Sequence, residues 1–170
     1  HVDFTVEVER SCRVLDGVVV IVDAVSGVQA QTRTVWRQST RQELPAVAFI
    51  NKMDRDGASF SRTIDSIHAK LGINTLQLQM PLVSGRDDHF DGYVDLLTMQ
   101  QHEWLDIRSE DYTRYMNHMQ QQQSKAGKGA GKKDIYPHRV TPLAEDSPHW
   151  QAAMEARAAM LDAIASEDER

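Results

Sequence analysis

The chain has 170 residues, with 19 Lys and Arg against 25 Asp and Glu, a formal net charge of −6, and 41% hydrophobic residues. That length supports one domain with a real core, or slightly more, and the acidic balance argues against a general nucleic-acid binder. The apolar run 17–22 is far short of the roughly 20 residues a membrane-spanning helix needs, so no membrane association is expected. The single Cys12 excludes an internal disulfide and suits a reducing compartment. The sequence opens at His1 without a methionine and runs at once into structured-looking sequence, so it is expected to be an internal piece of a longer chain.

Phe4, Val8, Cys12 and Leu15 follow helical spacing, and Gly17 is expected to close that helix. Residues 17–24 form a continuous β-branched run, the pattern of a strand buried on both faces in a parallel sheet. A loop from Val25 to Gln31 leads to a helix around Thr34 to Gln42, and a second buried strand follows at Ala46–Ile50. Strand, helix and strand make one right-handed βαβ unit. Phe60, Ile64, Ile67 and Leu71 then share a helix face, with Gly72 as the stop. From Leu76 the pattern alternates. Leu76–Met80, Tyr93–Leu97 and His102–Trp104 predict a small antiparallel sheet with one wet face. In the last helix Ser147 can cap, Pro148 suits the first position, and Met154, Ala158, Leu161 and Ala165 form the apolar stripe.

Charge is unevenly placed. Residues 125–133 hold four lysines and no acid, so the remaining chain carries 15 basic against 25 acidic residues. With Gln120–Gln123 before it and Pro137, Pro142 and Pro148 after, the stretch 120–148 reads as a low-complexity connection.

The second strand ends directly in Asn51-Lys52-Met53-Asp54, and open α/β sheets bind ligands just beyond the carboxyl ends of their strands. The residue types suit guanine. A carboxylate at Asp54 can accept from both the ring N–H and the exocyclic amino group, a two-donor edge that adenine lacks. Asn51 can donate to a purine acceptor and tie neighbouring loops, and Lys52 can lay its alkyl stem along the base or ribose. Asn and Asp after a strand are also common turn-formers, so the tetrapeptide alone leaves a plain turn open.

The stretch His1–Arg10, with Arg13–Gly17, Thr34–Gln38 and Asn51–Arg55, closely resembles elongation factor G, the ribosomal translocase group of translational GTPases. The resemblance runs nearly without a gap over residues 1–60, continues more loosely through Leu78–Pro81, His89–Asp95 and Trp104, and is weak from about 105 to 148. Gly57–Phe60, Ser66-Ile67 with Lys70-Leu71, and Glu155–Arg157 leading to Leu161 look most like the mitochondrial type 2 branch. That branch works with ribosome recycling factor to split ribosomes rather than driving translocation.

The resemblance implies an α/β fold, part of a P-loop-type GTPase domain. It would have a parallel sheet with helices on both faces and no phosphate-loop strand, plus a small α+β insert subdomain. It implies a partial GTPase core over residues 1–72 and an insert over 73–170, irregular at 105–148 and ending in a helix at 148–166. Asn51, Lys52 and Asp54 match the guanine-specificity motif. His1 matches the catalytic histidine that closes an Asp-Thr-Pro-Gly-His motif and positions the attacking water; a tag remnant is the bland alternative. The implied ligand is GTP or GDP with Mg2+. The implied partners are the mitochondrial ribosome, ribosome recycling factor and the ribosomal stalk protein, in the mitochondrial matrix. The alternatives are a type 1 translocase and a non-catalytic docking module on a ribosome.

No G-x-x-x-x-G-K-[ST] phosphate loop occurs. Gly131-Lys132 fails because position 126 is Ala, position 133 is Lys, and no strand precedes it. The phosphate and metal grips are therefore expected outside these residues, and the isolated 170-residue chain is expected neither to bind GTP usefully nor to hydrolyse it. The other histidines are scattered without metal-ligand spacing, and Asp87-Asp88-His89 reads as a polar turn. Cys12 reads as a buried, inert thiol, Trp36, Trp104 and Trp150 as packing residues, and the lysine stretch as a solvated loop rather than an RNA contact.

Overall fold

The computed structural model describes residues 5–84, 89–125 and 137–168. It divides into two units, His1–Thr75 and Leu76–Arg170.

The first unit runs α1 (Thr5–Cys12), β1 (Val18–Asp23), α2 (Ala30–Arg41), β2 (Ala46–Asn51) and α3 (Phe60–Leu71). The two strands pair in parallel, in register from Val18 opposite Ala46 to Asp23 opposite Asn51. This is the expected βαβ unit. Helix α3 starts where the Ser59 hydroxyl accepts from the Arg62 amide and stops at Gly72 in the left-handed region. Its Ile67 is buried with Val22 and Val28, and Val20, Ile64, Leu71 and Ile73 pack around them.

Among the described residues only one face of this sheet is covered. Val19, Ile21, Val47 and Phe49 are 55–69% exposed, which corrects the expectation that both faces of these strands are buried. Helix α3 covers the Val20 and Val22 side, whereas α1 and α2 pack against each other and leave an apolar groove of about 870 Å³ along β1. A two-stranded sheet gives helices too narrow a face to close over on both sides. Helix α1 also ends at Cys12 rather than at Gly17. Beyond it the amides of Arg13 and Val14 close turns onto Arg10 and Ser11, so Leu15 falls outside the helix and is 44% exposed. Cys12 is buried and unpaired, as expected.

The second unit runs β3 (Gln79–Ser84), β4 (His89–Asp95), β5 (Gln100–Trp104), α4 (Glu110–Lys125), β6 (His138–Pro142) and α5 (Trp150–Asp168). The four strands form one antiparallel sheet in the order β3-β4-β5-β6. Leu82, Val94, Leu96 and Leu143 meet Ala153 and Met160 of α5 in its core. Strand β4 passes so close to β5 at Gly92 that a Cβ there would sit 1.9 Å from the His102 carbonyl oxygen, so only glycine fits.

Two expectations change here. The stretch 105–148 is not irregular throughout, because it contains α4 and β6. Ser109 starts α4 by accepting from the Tyr112 amide, Glu110 and Asp111 occupy its first turn, and Arg139 of β6 donates to Asp111 at 2.8 Å. Proline is tolerated at the end of β6 because that strand lies at the sheet edge. In α5 the buried positions are Ala153 and Met160, while Met154 and Leu161 of the expected stripe are 42% and 50% exposed. The helix is rotated so that Arg157 donates to the carbonyls of Leu96 and Leu97. Among the described residues no helix is long and apolar enough to cross a membrane.

Candidate functional site

Asn51 is the last residue of β2, and Lys52 follows it in the left-handed region at φ 65°. The Asn51 side-chain oxygen accepts from the Lys52 amide at 2.8 Å. That contact orients the amide group so that its NH2 remains for another acceptor. A turn then closes from the Arg55 amide to the Lys52 carbonyl, and Asp54 stands at its crest, exposed. Among the described residues no hydrogen bond or ion pair occupies the Asp54 carboxylate. A carboxylate left open can accept from a purine edge with two donors, and the open Asn51 NH2 can donate to a purine acceptor.

The neighbouring loops are tied to this turn through the backbone. The Ala24 amide donates to the Asn51 carbonyl at 2.9 Å, and the Ala24 carbonyl accepts from the Ser59 amide at 3.0 Å. The buried Thr63 hydroxyl lies against both the Ala24 and Ser59 carbonyls. The end of β1, the end of β2 and the start of α3 thus form one cross-linked rim at the carboxyl end of the sheet, the position expected from topology.

One residue of the rim is absent from the sequence reading. Asp23, the last residue of β1, accepts from the Lys52 ammonium at 2.5 Å through Oδ2 and from the Val25 and Ser26 amides at 2.8 and 3.0 Å through Oδ1. The Lys52 hydrogen bond, followed by those of Ser26 and Val25, holds the Asp23 carboxyl down to about 2. The one sequence signal that could have found it is an acid at the carboxyl end of the strand next to the motif strand.

The structure therefore brings Asn51, Lys52 and Asp54 together on one turn. His1 lies outside the described residues, as do Asp87 and Asp88 and the lysine-rich 126–133. His89 instead lies 2.8 Å from Asp91. Among the described residues no group of three His, Cys, Asp or Glu is placed to hold a metal ion. The apolar groove along β1 is a separate feature, lined by Val8, Leu15, Val19, Ile21 and Val35 and touching the rim only at Asp23.

The sequence pattern of the elongation factor Tu GTP-binding domain matches residues 1–167. The chain belongs to that family. Its fold class is accordingly α/β of the P-loop GTPase type, here a parallel βαβ unit with an antiparallel sheet after it. A crystal structure of a protein from Thermus thermophilus is similar over 99% of the chain, with a TM-score of 0.69 and 20% identity. The chain spans 20% of the length of that protein.

Proposed function

We propose that this chain supplies the guanine-recognition part of a GTPase of the elongation factor G type, most like the mitochondrial type 2 branch. The observation that carries the reading is the Asp54 carboxylate, without a partner among the described residues, on the turn that follows Asn51 at the carboxyl end of β2, in a chain of this family. Asp54 accepts from the ring N–H and the exocyclic amino group of guanine. Asn51 donates to a purine acceptor, and the Lys52 stem lies along the base or ribose. His1 is proposed to orient the attacking water. The domain division at residues 72 and 73 is likewise a proposal, as are ribosome splitting with ribosome recycling factor, contact with the stalk protein and residence in the mitochondrial matrix.

The described residues do not fit Mg2+, because no three of their His, Cys, Asp or Glu side chains are placed to hold a metal ion, and the Asp23 carboxylate on the rim is taken by Lys52. The Mg2+ and phosphate ligands are proposed to come from residues other than those described. GTP hydrolysis is proposed for the complete factor rather than for the 170-residue chain alone.

The test is Asp54→Asn in the complete gene product that carries this chain, with binding of guanosine and xanthosine diphosphates compared. An amide at this position donates where the carboxylate accepts. Preference should therefore swing toward xanthosine by roughly 10⁴-fold or more, the range set by unpaired polar groups. Unchanged base preference would defeat the assignment. Recycling is then separated from translocation by measuring ribosome splitting with recycling factor against one-step mRNA movement.

A further inference from the structure

We propose that Asp23 is a positioning residue of the base site, fixing the Lys52 side chain before a nucleotide arrives. This rests on the guanine-site reading above and adds to it a residue on another strand.

Asp23 and Asn51 are the last paired residues of β1 and β2, which places the Asp23 carboxylate beside the residue that follows Asn51. The two carboxylate oxygens have separate tasks. Oδ1 is bound by the Val25 and Ser26 amides, which locks the carboxylate rotamer, and Oδ2 is thereby turned to the Lys52 ammonium at 2.5 Å. Lys52 is held at both ends. Asn51 Oδ1 binds its amide, its backbone sits at φ 65°, a conformation unusual for a residue with a side chain, and Asp23 binds its tip.

A pair this exposed, with side chains 40% and 24% accessible, contributes little to stability. Its consequence is orientation. Lysine has a long, flexible stem, and the cost of ordering it falls on ligand binding unless the protein has already met it. Asp23 meets it through a turn built on its own loop. The low proton affinity of Asp23 keeps the carboxylate charged throughout the neutral range.

The test is the dissociation constant of a fluorescent GDP analogue in the complete gene product carrying this chain. Asp23→Asn is informative because an asparagine oxygen still accepts from Val25 and Ser26, so the turn survives while the charge facing Lys52 is lost. Asp23→Asn should weaken binding about five- to tenfold, the scale of an ordering cost shifted onto the ligand. Lys52→Met should weaken it at least as much, and the double variant should bind no worse than Lys52→Met alone, because Asp23 acts through Lys52. The thermal midpoint of Asp23→Asn should stay near that of the unaltered protein, with Asp23→Ala, which also loses the turn, clearly lower. Unaltered affinity in Asp23→Asn overturns the proposal, and so do losses that multiply in the double variant. If Asp54→Asn switches base preference while Asp23→Asn is silent, only the role of Asp23 falls. If Asp54→Asn is itself silent, both readings fall.

Discussion

Replacing Gly27 with alanine tests whether the loop carrying Asp23 is held by the close approach of α3. Gly27 adopts φ +63°, and a Cβ there would meet the Ser66 hydroxyl oxygen at 2.7 Å and its Cβ at 3.0 Å. Left-handed backbone costs an L-residue roughly 1–2 kcal/mol. The Ser66 hydroxyl also accepts from the Val28 amide at 3.1 Å, so moving it aside loses a hydrogen bond of about 1 kcal/mol. The two costs together come to about 2–3 kcal/mol, or roughly 30- to 150-fold in a local opening equilibrium. Amide hydrogen exchange by mass spectrometry, on peptides covering residues 24–30 and 60–71, reads that opening directly. Ser66→Ala alone should lose only the hydrogen bond. The Gly27→Ala, Ser66→Ala pair should then cost less than the two single changes added, because the clashing atom is gone. Unchanged protection in Gly27→Ala, or strictly additive losses, would refute a loop held by this contact.

Gly92→Ala should act on the second unit through sterics alone. A Cβ 1.9 Å from the His102 carbonyl oxygen can be relieved only by parting β4 from β5, at roughly 3 kcal/mol or more. Urea unfolding followed through Trp104 and Trp150 checks this, and an unaltered midpoint would sink it. Acid should act on the first unit at Asp23. A carboxyl lowered to about 2 from an ordinary 3.8 contributes a stabilisation, small for a pair this exposed, that is fully present above 3.8 and is lost as pH falls through about 2. The Val25 and Ser26 amide NMR shifts should therefore be flat from pH 7 to about 4 and move below it, and Lys52→Met should raise the midpoint toward 3.8. A midpoint unmoved by Lys52→Met would show that the ammonium is not what holds the carboxylate charged.

What the sequence revealed tracks how local each cause is. Helix α3 was legible in its apolar face, Phe60, Ile64, Ile67 and Leu71, and in its stop at Gly72, both local signals, whereas its Ser59 cap emerged only from the structure. The start of α4 was equally local, in Ser109 followed by two acids, but the glutamine run and the flanking prolines drew the reading toward a loop. The open face of β1 and β2 was not legible. A run of valines and isoleucine looks the same whether helices cover one side or two, and the number of neighbouring strands decides that. Helix α5 shows the same limit in rotation. Its apolar residues are spread around the helix, and the side turned inward is fixed by Arg157 reaching carbonyls about sixty residues away in the chain. The candidate site divides along this line. Asn51, Lys52 and Asp54 form a motif within four residues, so their place together at the end of β2 could be read from type and spacing. Asp23 lies 29 residues from Lys52, and the two meet only because β1 and β2 are parallel and end in the same register. A one-residue slip in that pairing would carry Asp23 away from Lys52 and turn it to the other face of the sheet. Strand register is thus itself part of the proposed recognition of guanine.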